Sequence, residues 1–326
     1  MNIDVHAHFY PPEYLTEIVK LGEKSSHPWD KGWHHQIAGK VLKTPKMWAV
    51  DERLEDMDKA GVDIQVLSVS TPNVYFEDGE ASLQLAQIAN DTYSELCRQH
   101  PSRFRAFASV PMGHPEKAVS ELRRAISVLG LHGLVLGDNV RGKGLDAPEF
   151  MPVFEEAERL GLPIFLHPMT PAGAESMLDY DLVTIVGFMF DNTQAAARLA
   201  FGGVLERCPK LKVIVPHLGG AFPYIMGRID YAYRTRAHCR ENISQPPSHY
   251  LKQMYVDTLS FHAPALRCAY ETMGAGQMVL GSDYPFAMGG ADLIVKDIKD
   301  LNMTEQEEQR VLGGNMCELL GIRPKP

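Results

Sequence analysis

Long apolar runs are missing from this 326-residue chain. None approaches the ~20 residues of a membrane span, so no membrane association is expected. No basic stretch precedes an apolar one at the start, so no signal peptide is expected either. Cysteine is scarce and scattered. Cys97, Cys208, Cys239, Cys268 and Cys317 form no C-x-x-C pair, which argues against a thiolate metal site and fits reduced thiols in a cytoplasmic protein. Lys/Arg-rich clusters are absent and the net charge is −9, so no nucleic-acid partner is expected. No G-x-G-x-x-G follows an early strand, which weighs against a dinucleotide fold. There is no internal repeat and no low-complexity stretch.

The remaining composition, 45% apolar and 22% charged, is that of an ordinary globular enzyme. Short β-rich runs fall at 2–7, 63–68, 104–110, 133–136, 163–166, 212–216, 254–258 and 277–281. Several, such as "LKVIVPH" and "QMVLGSD", are continuously apolar, as parallel strands covered on both faces are. Amphipathic stretches lie between them. "DERLEDMDKAG" places Leu54 and Met57 on one face and ends on Gly61, a stop signal. Repeated strand–helix alternation predicts an α/β fold, a (β/α)8 or TIM barrel in a single domain over 1–326. An open doubly wound sheet is the alternative. One segment breaks the rhythm, a lid-like insertion after the first strand at about 10–50, which holds all three tryptophans, Trp29, Trp33 and Trp48.

In such a barrel the reacting groups come from the C-terminal ends of strands. "VHAH" ends the first run, and His6 and His8, two apart on a strand, aim to one face. "LPIFLHP" ends in His167, "KVIVPHLGG" in His217 and "MVLGSDYPF" in Asp283. Taken singly, each has an ordinary explanation: a hydrogen-bonded structural histidine, or an aspartate capping a turn. Jointly, imidazoles and a carboxylate converging on one mouth are a ligand set for zinc or a similar divalent ion.

His-x-His after the first strand, His after the fifth and sixth, and Asp after the eighth resemble the amidohydrolase superfamily. "IDVHAHFYPPEYL", "RLEDMDKAGVDIQVLSVSTP", "HLGGAFPYIMGRID" and "VLGSDYPFAMG" are similar to its decarboxylase branch, along nearly the whole chain. The resemblance implies that His6, His8, His167 and Asp283 hold one Zn2+ per chain, Mn2+ or another divalent ion being possible. "GLVLGDN" ends the fourth strand without a lysine, so a second, lysine-bridged ion is not expected.

It further implies that His217 is the base beside the metal and that Asp283 also serves catalysis by passing a proton. Arg228, in a homodimer, would bind the substrate carboxylate across the interface. The implied reaction is non-oxidative decarboxylation of a small conjugated or aromatic carboxylic acid. The same ligands would equally serve hydrolysis of a lactone or cyclic amide, or hydration of a double bond. Two positions depart from the branch. Met169 stands in "HPMT" where a tryptophan is usual, and the long loop offers Lys43 and Lys46 but no arginine. Asp257 is expected to orient a neighbour by hydrogen bonding. Ser70, Thr71, Asn73 and His262 are candidates to line the pocket, and His34 and His35 read as solvated loop residues.

Overall fold

Strands that alternate with covering helices must bury both faces, and the apolar runs do so almost without interruption. The computed structural model describes residues 1–24 and 35–323. The strands are β1 (Ile3–His8), β2 (Ile64–Ser68), β3 (Phe104–Ala106), β4 (Ala108–Ser109), β5 (Leu134–Gly137), β6 (Asn139–Val140), β7 (Lys143–Gly144), β8 (Pro163–His167), β9 (Lys212–Val215), β10 (Tyr255–Asp257) and β11 (Met278–Val279). One parallel sheet has the order β1-β2-β3 and a second the order β11-β10-β9-β8-β5-β4. β3 and β4 are separated by Phe107 alone, whose N–H donates to Leu67 O at 3.0 Å. On the other side, Val5 N–H donates to Leu280 O at 2.9 Å and Ala7 pairs in parallel with Tyr284. β6 and β7 form a small antiparallel hairpin that the sequence pattern does not announce.

Helices follow the strands, among them Gly79–Gln99, Pro115–Ser127, Met151–Arg159, Phe188–Phe201, Phe222–Thr235 and Ala263–Met273. Local chemistry sets their ends. Asp78 caps the first of these by accepting from Glu80 N and Ala81 N. The helix Val50–Ala60 stops at Gly61, whose φ of 68° an L side chain rarely adopts. Among the described residues no helix is long and apolar enough to cross a membrane.

The 10–50 segment contains the helices Pro12–Lys24 and His35–Leu42. Tyr14 from the first of them donates to Pro72 O at 2.8 Å, tying it to the loop after β2. Trp29, Trp33 and His34 lie outside the described residues. Trp48 is half-buried and its indole N–H donates to Leu42 O at 3.3 Å.

Outside the strands, Glu156 is a buried carboxylate paired with two arginines. Its side chain is 5% exposed and is gripped by Arg159 at 2.6 Å and 2.9 Å and by Arg123 at 2.8 Å and 3.1 Å. Arg159 first, then Arg123, lower its pKa from 4.5 to about 2. A carboxylate depressed in the folded state stabilises the fold above its unfolded value and loses that contribution as pH falls through the folded one. Thermal melts from pH 6 down to pH 2 should therefore show stability declining more steeply in the wild type than in Glu156→Gln between about 4.5 and about 2. Parallel curves would show that the cluster contributes no such pH dependence.

Candidate metal centre and active site

His6 and His8 come from the end of β1, His167 from the end of β8, and Asp283 from the turn after β11. One potential ligand atom from each lies within 4.8 Å of all the others. The imidazoles are fixed from behind. His6 Nδ1–H donates to Asp257 Oδ2 at 2.7 Å, and His167 Nδ1–H donates to Pro168 O at 2.9 Å. His8 Nδ1 faces Ser68 Oγ at 3.4 Å. A carbonyl or a carboxylate only accepts, so both Nδ1 atoms so bonded carry hydrogen and both Nε2 atoms are the positions left to take a cation or a proton. The Nε2 atoms of His6, His8 and His167 and Oδ1 of Asp283 are buried without a hydrogen-bond partner, and Asp283 Oδ1 lies 3.2 Å and 3.1 Å from Nε2 of His6 and His8. Buried polar atoms that find no partner require one from elsewhere. Three imidazole nitrogens and a carboxylate oxygen facing inward fit a divalent cation.

The electrostatics agree. Burial opposes charge on His6, yet the Asp283 and Asp257 carboxylates raise its pKa to about 10. Burial pushes His8 down, and burial with the neighbouring imidazoles pushes His167 well below its usual value. Burial works against the Asp283 carboxylate too, but His6 and His8 hold it well below the usual range. A cluster that draws a proton onto one buried imidazole, beside two others that resist one, favours a single positive charge at its centre.

Close approach is built into the backbone. A Cβ at Gly281 would lie 2.8 Å from Asp257 Cβ and 2.9 Å from His6 Cβ, so only glycine fits there. Asp283 and His217 both have positive φ, 57° and 54°, a strained backbone of the kind that functional turns tolerate. Asp257 does more than hold His6, because its Oδ1 also accepts from Leu218 N at 3.1 Å and ties the turn carrying His217 to the ligand strand.

His217 sits beside the cluster, its ring centroid 5.1 Å from that of His6 and 6.2 Å from that of His167. Its Nδ1 meets Asn192 Oδ1 at 2.9 Å. Burial first, then His6, lowers its pKa to about 4, so it is neutral near pH 7.

Above these groups opens a cavity of about 510 Å³, lined by His167, His217 and Asp283 and by the rings of Phe188 and Phe286. Ser70 and Thr71 line it, as expected of them. Asn73 does not: it is buried and bonds its own neighbour, Val74 N, at 2.6 Å. His262 does not either, being exposed just before the helix Ala263–Met273, because its neighbours Ser260 and Phe261 take the lining positions. Ile37, from the 10–50 segment, closes one side. Met169 is buried with its side chain against Gly137, and a Cβ there would be 2.5 Å from Met169 Cγ. Among the described residues no lysine or arginine lines the cavity. Lys46 is paired with Asp56 at 2.8 Å and Lys43 is exposed. A larger hollow of about 1010 Å³, beside Met1, Arg103 and Ile322, contains none of these ligands.

Sequence reasoning passed over the residues that brace the site. Arg53 is buried and donates to His8 O at 2.6 Å and to Gln65 Oε1 at 2.9 Å. Gln65 donates on to Asp4 Oδ2 at 3.1 Å, and Asp4 accepts from Ser282 Oγ at 2.6 Å, beside Asp283. The only signal was an arginine and a glutamine in otherwise apolar buried positions.

An amidohydrolase family profile matches residues 3–322. A 2-amino-3-carboxymuconate-6-semialdehyde decarboxylase from Dictyostelium discoideum is 36% identical over 99% of this chain and 92% of its own length. A gamma-resorcylate decarboxylase from Rhizobium radiobacter is 32% identical over 72% of this chain and 76% of its own. Among solved structures, the 5-carboxyvanillate decarboxylase of Sphingomonas paucimobilis superposes with a TM-score of 0.89, at 26% identity, covering 99% of both chains.

Proposed function

The chain belongs to the amidohydrolase family, and on that premise we propose that it is a metal-dependent, non-oxidative decarboxylase of a small conjugated or aromatic carboxylic acid. The observation that carries the reading is the set of four converging ligand-type atoms, two of whose residues, His167 and Asp283, line a cavity together with Phe188 and Phe286. The decarboxylase relatives favour carbon dioxide loss over hydrolysis of a lactone or cyclic amide and over hydration. The two sheets are read as one (β/α)8 barrel in a single domain, closed by the bonds from Val5 and His8 to Leu280 and Tyr284, with Ile37 of the 10–50 segment at its mouth.

His6, His8, His167 and Asp283 would hold one divalent ion, zinc in this reading, with manganese the alternative. The ion would supply a Lewis acid that fixes the substrate's oxygens and offsets charge developing in the transition state. Phe188 and Phe286, which line the cavity, would offer their rings to an aromatic or conjugated substrate. His217, neutral and bonded through Nδ1, has Nε2 available to accept a proton from a substrate hydroxyl or a water in the cavity. Asp283, ionised at rest, keeps Oδ1 against the imidazoles, and Oδ2 would take a proton from water in the cavity and pass it to the carbon that bears the carboxylate, while His217 returns the hydroxyl proton to the product. The carbon–carbon bond then breaks, its electron pair returns to the conjugated system, and carbon dioxide leaves. The acid is converted to the protonated product without an oxidant. Testing a panel of hydroxybenzoic and muconate-type acids against a panel of lactones decides the class. Carbon dioxide release from the first supports the reading, and acid release from the second alone overturns it.

A homodimer with shared sites is part of the proposal. Arg228 is exposed on the helix Phe222–Thr235, makes no hydrogen bond or ion pair among the described residues, and does not line its own cavity. Tyr224 and Tyr231, on the same face at helical spacing, are 83% and 62% exposed, an apolar surface suited to a second copy. The partner's cavity, itself without a cation, is then where the guanidinium would meet a carboxylate. Arg228→Ala should leave metal content intact and raise KM at least ~10-fold, the scale of one charged hydrogen bond. Hybrid dimers of His217→Ala with Arg228→Ala should regain activity, since one of their two pockets has both groups. No regain in verified hybrids, or a fully active monomer, would remove Arg228 from the site.

A further inference from the structure

We infer that Asn192 and Asp138 are positioning residues that set the tautomer of His217, so that its Nε2 is the proton-accepting atom. The inference rests on the assignment of His217 as the base. Asn192 is fully buried on the helix Phe188–Phe201, and Asp138, 2% exposed, follows the end of β5. Asn192 Nδ2–H donates to Asp138 Oδ2 at 2.6 Å, while its Oδ1 lies 2.9 Å from His217 Nδ1. An amide has a donating end and an accepting end. With the donating end committed to Asp138, the accepting end faces the imidazole and can take only an N–H. His217 Nδ1 therefore carries the hydrogen, and Nε2, which has no partner among the described residues, holds the lone pair. Asp138 Oδ1 is buried and unbonded, so a proton on this carboxyl has its place there and leaves Oδ2 an acceptor.

The backbone around the pair is fastened as well. Asp138 N–H donates to His167 O at 2.8 Å, which ties the Asp138 turn to a metal-ligand strand. The residues flanking Asn192 in the same helical turn also serve the site. Asp191 accepts from Met169 N at 2.8 Å, two residues beyond His167, and Thr193 Oγ1 accepts from Ala221 N at 2.8 Å, four beyond His217. One turn of helix thus registers the loops carrying His167 and His217, with Asn192 as the element that reads the imidazole. Residues standing behind such a group commonly matter ~10- to 100-fold.

The test uses the zinc-loaded full-length protein with 15N-labelled histidine, whose His217 resonances are those lost in His217→Gln. The wild type should show His217 as the Nδ1–H tautomer. Asp138→Asn, close in shape, gives position 138 an amide that can donate or accept, so Asn192 is free to turn over. An Nε2–H population should appear, with kcat down ~10- to 100-fold at unchanged KM and metal content. The swap Asp138→Asn/Asn192→Asp again puts an accepting oxygen against Nδ1 and a donor behind it, so it should restore the Nδ1–H tautomer and most of kcat. An Nε2–H tautomer in the wild type, or a tautomer unmoved by Asp138→Asn, overturns the inference. A tautomer that moves and returns as expected supports it whatever reaction is found. If Asp138→Asn does not fold, the swap decides, and failure of a folded swap to show Nδ1–H also overturns it.

Discussion

Replacing His167 or Asp283 with alanine should abolish metal binding and activity together. Each removes one of four ligand atoms from a site whose remaining buried atoms have no other partners. The catalytic loss should be ~10³-fold or more, equivalent to ~4 kcal/mol of transition-state stabilisation. Elemental analysis after reconstitution should give about one metal ion per wild-type chain and well under that in either variant. Two ions per wild-type chain, or none, would rule out the single-ion centre. A variant that keeps its metal and turns over normally would remove that residue from the ligand set. Reconstituting separate samples with zinc and with manganese, and comparing kcat, settles which ion the centre uses.

His217→Ala should separate chemistry from metal. The ring stands beside the ligand cluster with its Nδ1 already bonded to Asn192, so the four ligand atoms remain in place without it. Metal content should be unchanged while kcat falls by ~10²-fold or more, the scale on which a general acid–base group contributes. Metal lost with His217 as readily as with His167 would make His217 a ligand. Unchanged kcat would leave it a wall of the cavity.

The sequence made the candidate ligands readable because they sit at strand ends, where short apolar runs give way to His or Asp. "VHAH", "IFLHP" and "VLGSD" each mark a boundary between buried strand and open mouth, and strands covered on both faces have few other reasons to end on such residues. Asp257 was readable for the same reason, ending β10. Asn192 was not, since a polar residue in a helix ordinarily faces water. Only the tertiary packing of that helix turns it inward, to meet His217 just after β9 and an aspartate 54 positions away. Asn73 and His262 show the opposite error: they stand close in the chain to lining residues, but the path of the loops turns them away from the cavity.

By itself the sequence determined the alternation of strand and helix, the run boundaries and the residue types at the strand ends, because these follow from periodicity and local chain chemistry. Tertiary structure alone decided that His6 turns Nε2 inward, that Arg53 and Gln65 brace the strand carrying His6 and His8, that Lys46 goes to Asp56 instead of the cavity, and that Asn192 faces His217. Which nitrogen is free at His6, and which group meets Asn192, depend on partners 251 and 25 residues distant, whereas His167 takes its partner from the next residue. Hydrogen bonds and ion pairs act only over a few ångströms, so those choices exist only once folding has brought the partners together.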